Sequence, residues 1–451
     1  MGLTRWLYPG IGVKRWCMLI GFGGLLCGMG MCMAASPRVN LWLGLAALLL
    51  GLIASVYGFR QALASLIGVV IHRQGGAGFA ERVYRTRTLE RGPAIVAIGG
   101  GTGLSNLLRG LKEYTSNITA IVTVTDDGGS SGRLRNDMGI LPPGDIRNCL
   151  LALADRESLM EQLFSYRFDV SSELSGHSVG NLVIAALTNI LGGFDRAVQE
   201  SSKVLAIQGR VLPSTLCDAT LGAELLDGSL VKGETHLTSS EEPIRKVFLD
   251  PPVCPAMPEA LEAIYAADII VLGPGSLYTS VIPNLLVRDV ARAIRDSRAV
   301  KTYVCNVMTQ KGETDGYSVC DHVDAVLRHS FRGVIDYCVV NERKPSPASL
   351  SRYADLGQRP VIDDSDALAD LDIRVKKAPV VSESEVVRHE PSELAKAIVS
   401  IHMLSQQEAE AALPSKRRPW FSPIVAFSRR YAIERPLGML VSLLQILRGR
   451  P

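Results

Sequence analysis

Apolar residues follow three different patterns along this chain, and each predicts a different kind of structure. Between Arg15 and Arg38, and again between Arg38 and Arg60, there is no charged residue. Each run has roughly the ~20 residues a helix needs to cross a ~30 Å hydrocarbon core. Ser36-Pro37-Arg38-Val39-Asn40 between them is turn chemistry, so residues 1–59 read as a transmembrane helical hairpin. A cleaved signal peptide fits the first run poorly, because a second full-length run follows almost at once. Ala62 to Ile71 is apolar but too short to span, and is expected to lie on the membrane surface within a basic linker, 60–93.

The second pattern starts at Ala94, where short apolar runs alternate with amphipathic stretches. Ala94–Ile98, Ile118–Thr125, Ile269–Leu272, Thr302–Val307 and Tyr337–Val340 read as strands, with helices over Leu104 to Glu113 and Asn181–Leu191. Strands of this kind, separated by helices, predict an α/β fold over 94–390, with a mostly parallel sheet covered on both faces. Ligands of such folds bind beyond the carboxyl ends of the strands. The third pattern fills residues 391–451. A helix is expected over 391–413, with Leu394, Ile398, Ile401 and Leu404 on one face, and then a basic amphipathic tail containing Lys416-Arg417-Arg418-Pro419-Trp420-Phe421.

Composition sharpens this picture chiefly through charge. The net charge of the 451 residues is +3, but residues 1–93 hold ten Lys/Arg against Glu81 and Glu90, and residues 414–451 hold eight against Glu434. Basic ends around an acidic middle fit contact with anionic lipid through the hairpin and the tail, and nucleic acid is not expected as a partner. Arg5, Lys14 and Arg15 precede the hairpin, Arg60, Arg73 and Arg82 follow it, and only Arg38 lies in the turn. The positive-inside rule then places both termini and the α/β domain in the cytoplasm of a multi-pass membrane protein. Nine scattered cysteines without a C-x-x-C pair argue against a disulfide scaffold or a zinc ribbon.

The candidate chemistry falls at the predicted strand ends. Gly99-Gly100-Gly101-Thr102-Gly103 between a strand and a helix would aim free N–H groups at a phosphate. It lacks the Gly-Lys-Ser/Thr of a Walker loop, and Leu104 stands where a dinucleotide fingerprint expects Gly or Ala. Gly273-Pro274-Gly275-Ser276 repeats the arrangement. Asp126 and Asp127, followed by Gly128-Gly129-Ser130-Ser131-Gly132-Arg133, pair carboxylates with hydroxyls and a cation. Such a pair can hold Mg2+ against phosphates or meet ribose hydroxyls. Arg133, and Arg147 within Gly144-Asp145-Ile146-Arg147-Asn148, have the geometry to grip phosphate oxygens. Gly176-His177-Ser178-Val179-Gly180 matches a nucleophile elbow in letters only, because the residues before it are too polar for the required strand. These small residues are expected to cap the helix that follows, with His177 in a structural or substrate-contacting role.

The strings IVAIGGGTGLSNLLRGLKEY, ITAIVTVTDDGGSSGRLR, PPGDIRN, LSGHSVGNL, VLGPGSLYTSVIPNLL and NVMTQKGETDGYSVCDH resemble the gluconeogenesis-factor family, which is similar in fold to 2-phospho-L-lactate transferases. The resemblance implies a Rossmann-like three-layer α/β/α domain that binds a nucleotide sugar such as UDP-N-acetylglucosamine. It also implies a role in cell shape, cell-wall synthesis and carbon metabolism, with a cell-wall-synthesis protein as partner. Carried over residue by residue, it implies phosphate contacts at Gly100, Gly101, Thr102 and Gly103, an acidic pair at Asp126 and Asp127, and a contact at Asn181. It implies further contacts at Gly273, Gly275, Ser276 and Tyr278, and at Asn306 and Thr309. Ser130, Ser131, Asp145 and Asn148 complete the ligand-binding candidates. A regulator that binds without catalysis is the first reading. A Mg2+-dependent phosphotransferase using Asp126 and Asp127 is the second, and an NAD-binding regulator the third. The sequence leaves homo-oligomerisation open.

Overall fold

The computed structural model describes residues 14–35, 41–71, 89–154, 159–169, 174–240, 242–343, 345–383 and 387–412. They fall into two units, Met1–Arg87 and Thr88–Pro451. In the first, α1 (Lys14–Ala34) and α2 (Leu41–Ile71) pack antiparallel. Their seam is built of glycine. A Cβ on Gly51 would stand 2.6 Å from the Gly23 carbonyl oxygen, one on Gly30 2.6 Å from the Leu48 nitrogen, and one on Gly44 2.6 Å from the Ala34 nitrogen. Without side chains there, the backbones approach as closely as helices packed within lipid require. Large apolar side chains such as Phe22, Leu25, Leu49 and Phe59 point outward and are exposed. Trp16–Ala34 and Leu41–Gln61, of 19 and 21 residues, are long and apolar enough to cross a membrane. Residues 62–71 are helical and continue α2. The turn at 36–40 and the tail from 413 onward lie outside the described residues, as does the linker over 72–88.

The second unit is organised by a seven-stranded parallel sheet. Its strands are β1 (Ile95–Gly99), β2 (Ile118–Val122) and β3 (Arg210–Pro213), then, after a small antiparallel sheet of β4 (Thr220–Leu225), β5 (Leu230–Lys232) and β6 (Ile244–Asp250), β7 (Ile269–Leu272), β8 (Val300–Val304), β9 (Tyr337–Asn341) and β10 (Arg374–Ala378). A short hairpin, β11 (Val381–Glu383) and β12 (Val387–His389), follows. The order across the large sheet is β10-β9-β8-β7-β1-β2-β3. Ile95 pairs with Ile118 on one side and Ile269 on the other. The chain thus winds outward from β1 through β2 to β3, returns, and winds the other way from β7, so the switch point lies between β1 and β7. That crevice is where open parallel sheets bind ligands.

Both faces of the sheet are buried. Val96, Ile98 and Leu272 face one apolar core, while Ile95, Ala97 and Val271 face the other. This alternation follows the pleat. The helices that position the site are α3 (Gly101–Leu111), α4 (Gly129–Met138), α5 (Gly144–Leu153), α6 (Val179–Leu191), α7 (Glu234–Thr238), α8 (Val319–His329) and α9 (Pro391–Ala412). Leu104, Leu107, Leu108 and Leu111 form the buried stripe of α3, in the same core as Leu394, Ile398 and Ile401 of α9. Ser178 starts α6 by accepting the Asn181 N–H at 3.2 Å, and Ser318 and Asp321 form a capping box at α8.

Candidate functional site

The two glycine loops emerge side by side at the switch point. Gly101 has φ +63°, a left-handed conformation in which a side chain would be strained. A Cβ on Gly100 would come 2.5 Å from Asp145 Oδ2, and the Gly101 N–H donates to that same oxygen at 2.7 Å. A Cβ on Gly103 would stand 2.6 Å from the Pro274 carbonyl oxygen, so the loops touch only because both are bare. The first helical acceptor on α3 is used by Leu104, whose N–H reaches Gly100 O at 3.4 Å. The Thr102 and Gly103 N–H groups therefore stand at a helix start without a helical acceptor, the arrangement that binds anions. A cavity of about 440 Å3 opens here, bounded by both loops and by Asn306 to Gln310 beyond β8, with Tyr353 and His389 in its wall. Gln310 donates from Nε2 to Ser276 Oγ at 2.8 Å and ties the second loop to that edge.

Carboxylates gather on the β2 side. Asp126 accepts the Gly128 N–H at 2.9 Å. Asp127 Oδ1 accepts from both the N–H (2.9 Å) and the hydroxyl (2.8 Å) of Thr235, so this carboxylate holds the start of α7 in place. Asp145 is pushed up to about 6, mainly by burial, against the opposing Gly101 hydrogen bond. Two further acids, absent from the sequence-derived candidates, belong to the same group. Glu234 is pushed up to about 9, first by burial and then by Asp126, Asp145 and Glu313. Glu313 is 6 % exposed and is pushed up to about 7 by burial, and its Oε2 has no hydrogen-bond partner. Only Glu313 carried a sequence signal, as part of the last motif string quoted above. Among the described residues no three His, Cys, Asp or Glu side chains are arranged to hold a metal ion. A Mg2+ ion would fit as one bound by one or two carboxylates, the expected Asp126 and Asp127, with Asp145 beside them, and completed by phosphate oxygens and water.

The remaining candidates form a buried polar network joining α4, α5 and α6. Ser130 Oγ lies 2.9 Å from His177 Nδ1 and accepts from Asn181 Nδ2 at 3.0 Å. Ser131 Oγ accepts the Gly144 N–H at 3.1 Å. Arg147 is 7 % exposed and donates to Ser178, to Asn181 Oδ1 (3.0 Å) and to Asn148 Oδ1 (2.7 Å). Burial, then Arg167, pushes its pKa down to about 10. Arg133 donates to the Ser175 carbonyl. Arg147 thus ties α5 to the start of α6, while its Nε has no hydrogen-bond partner, and the exposed Arg133 engages one of its nitrogens at the Ser175 carbonyl. Burial also lowers the His177 pKa. Tyr278 does not reach the cavity. It is fully buried in a π-helical turn, Leu277–Val281, with its hydroxyl 2.8 Å from that of Tyr317. Gly275, Ser276 and Asn306 line the cavity, and so does Thr309, whose polar groups already pair with the Arg359 backbone at 2.7 and 3.0 Å.

Comparison with known proteins gives a consistent result. Residues 95–381 match the family model described as 2-phospho-L-lactate transferase CofD. A Nostoc sp. protein named "Putative gluconeogenesis factor" is 46 % identical over 419 residues, covering 88 % of this chain and 91 % of that protein. The gluconeogenesis factor of Bacillus subtilis is 47 % identical over 310 residues, 68 % of this chain and 98 % of its own length. The crystal structure of a upf0052-family protein from Bacillus halodurans superposes with a TM-score of 0.67 at 48 % identity, covering 68 % of this chain and 99 % of that one.

Proposed function

The chain belongs to the 2-phospho-L-lactate transferase CofD family, in its gluconeogenesis-factor group, and from that premise we propose that it is a membrane-anchored regulator that binds a nucleotide sugar resembling UDP-N-acetylglucosamine. Its output is cell shape, cell-wall synthesis and carbon metabolism, delivered through a cell-wall-synthesis partner. The observation that carries this reading is the cavity of about 440 Å3 between two bare glycine loops, with N–H groups at the head of α3. A diphosphate on those N–H groups needs no cationic side chain, and Arg352 also lines the cavity. Two helices long and apolar enough to span support membrane anchoring in this reading, and the excess of Arg and Lys at both ends of the hairpin supports a cytoplasmic binding domain.

The acid group supports a second reading, a Mg2+-dependent phosphotransferase. There Mg2+ would supply charge neutralisation on the transferring group, and Asp126 and Asp127 would hold it, with Asp127 Oδ1 also keeping α7 in place. Calorimetric titration of the full chain in detergent with UDP-N-acetylglucosamine, NAD and GDP, each with and without Mg2+, separates these readings. Selective, metal-independent binding of the UDP-sugar is the expected result. Metal-dependent binding of GDP with the sugar ignored would overturn it in favour of the transferase, and preference for NAD would favour a dinucleotide-binding regulator. Asp127→Asn is expected to keep most ligand affinity in a regulator.

A further inference from the structure

Cys217 and Cys254 stand opposite each other where the chain enters and leaves the small antiparallel sheet. Thr215 and Ala256 form an antiparallel bridge. The Met257 N–H donates to the Ser214 carbonyl at 3.1 Å and the Thr215 hydroxyl to the Pro255 carbonyl at 2.7 Å, which holds the two segments side by side. Side chains alternate along paired strands, so stepping from that bridge to Cys217 on one segment and Cys254 on the other puts both thiols on one face. Just beyond them Thr220 pairs with Asp250, the first rung between β4 and β6. Residues 218–253 therefore leave the large sheet and return to it through one neck, with a thiol on either side.

The two side chains meet. Cys254 is buried in the apolar core, and the half-buried Cys217 packs against that core. The Cys254 thiol has two acceptors within reach, the Cys217 sulfur and the Pro251 carbonyl at 3.4 Å. Burial, then the hydrogen bond to Cys217, pushes the Cys254 thiol up to about 12. The Cys217 N–H donates to the Thr215 hydroxyl oxygen at 3.0 Å, which fixes the backbone that carries the partner thiol. Solvent thus reaches one sulfur, while the other keeps its proton directly beside it. A reactive cysteine next to a resolving one has this arrangement. Cys305 and Cys338 differ, because both are buried and an oxidant reaches neither without opening the core.

We propose that Cys217 and Cys254 are a peroxide-sensitive modification site, a thiol pair that closes reversibly into a disulfide across the neck of the small sheet. Hydrogen peroxide is the oxidant. The Cys217 sulfur attacks one peroxide oxygen, the O–O bond breaks, and the other oxygen leaves as water, so Cys217 becomes a sulfenic acid. The Cys254 sulfur then attacks the Cys217 sulfur, the S–S bond forms and the S–O bond breaks. The hydroxyl leaves as a second water with the Cys254 proton, which already stands beside it. Two thiols and one peroxide give one disulfide and two waters, and the sulfurs lose the two electrons that the peroxide gains. Such a bridge is transient and redox-sensing where thiols are otherwise kept reduced. The neck is also the base of two contacts near the site. Asp218, next to Cys217, binds Arg135 of α4 at 2.6 Å, and α7 within the segment supplies Thr235 to Asp127.

The test is mass spectrometry of the full chain in detergent, reduced first, then treated with hydrogen peroxide, quenched with catalase, alkylated and digested. A peptide pair joined through Cys217 and Cys254 should appear at about 10-fold or more the yield of the untreated control, and dithiothreitol should remove it. Cys254→Ser lacks the resolving thiol, so dimedone labelling of Cys217 should rise about 10-fold over the original chain. Cys217→Ser should leave Cys254 as a free thiol after the same treatment. Amide hydrogen exchange over Thr220–Asp250 should slow by about 3-fold or more in the oxidised chain and recover with dithiothreitol. A Cys217 that stays a free thiol in the treated original chain, or that pairs with a cysteine other than Cys254, overturns the assignment. So does a Cys217–Cys254 bridge that leaves amide exchange in the small sheet unchanged, because the neck would then not be clamped. The peroxide treatment and the exchange measurement use the unaltered chain, so they decide the question even where a variant fails to fold.

Discussion

Replacing Glu313 by Gln should make the protein more stable in mild alkali and leave it nearly unchanged in mild acid. Glu313 is 6 % exposed, accepts hydrogen bonds from the Tyr278 N–H and the Thr279 side chain, and has one oxygen with no partner. Burial raises its pKa from 4.5 to about 7. Between those values the unfolded chain has released the proton and the folded chain still holds it. Stability therefore falls as pH rises through that window, and stays low above it. At about 1.4 kcal/mol per pH unit, the full loss is about 3 kcal/mol. Glutamine removes the charge but puts an amide N–H2 where the unpartnered oxygen was, which costs about 1 kcal/mol. The net gain expected at pH 8.5 is about 2 kcal/mol, or about 3 °C in Tm for a domain of this size. At pH 5 the glutamate is already neutral, and the variant should melt at or slightly below the original. Thermal melts of the full chain in detergent at both pH values, followed by near-ultraviolet circular dichroism, decide it. An equal shift at both pH values, or a lower Tm at pH 8.5, would refute the reasoning.

Gly100→Ala drives a methyl group toward Asp145 Oδ2, 2.5 Å away, and should separate that carboxylate from the Gly101 N–H. Calorimetry should show UDP-N-acetylglucosamine affinity falling by about 10-fold or more, and an unchanged affinity would count against the glycine loop as the phosphate site. In the hairpin, Cys27 lies against Leu48, its sulfur 3.5 Å from the Leu48 carbonyl. A Leu48→Cys variant should form a disulfide with Cys27 on oxidation in membranes, and adding Gly51→Leu should abolish that cross-link by forcing α1 and α2 apart. Reporter fusions at residue 38 and at the C terminus should report opposite sides of the membrane, and a shared side would sink the hairpin topology.

The central strands were legible because a strand buried on both faces is a continuous apolar run. β1, β2, β7 and β9 fall on runs identified from sequence to within a residue or so, and β8, Val300–Val304, overlaps the run read as Thr302–Val307. β10, Arg374-Val375-Lys376-Lys377-Ala378, escaped because it is an edge strand carrying the charges that keep edges from pairing with other chains. β3, only Arg210–Pro213, and the small antiparallel sheet were too short or too mixed to stand out. The helix expected over 391–413 is present over Pro391–Ala412, with Leu394, Ile398 and Ile401 fully buried at their helical spacing, while Leu404 is 44 % exposed. Leu104, which spoils the dinucleotide fingerprint, is fully buried against the sheet, so this helix packs through a side chain where the fingerprint uses bare backbone. Glu234 and Glu313 could not be grouped with Asp126 from sequence. They sit in polar segments far apart in the chain, and only the winding of the sheet brings them to one edge.

The two glycine loops share a cavity although their strands are made far apart in time. The Ala94 N–H donates to Asp268 Oδ2, a contact between residues 174 positions apart, and β1 completes its place in the sheet only when β7 arrives beside it. At about 5–20 residues per second, synthesis separates the two by roughly ten to thirty-five seconds. Through that interval Gly103 has no Pro274 against it, and the cavity between the loops is half built. A small molecule bound across both loops therefore recognises finished chains alone, and would stabilise them in proportion to the logarithm of its concentration over its Kd. The supply of that metabolite would then set how many molecules persist in folded form, as well as the state of each one.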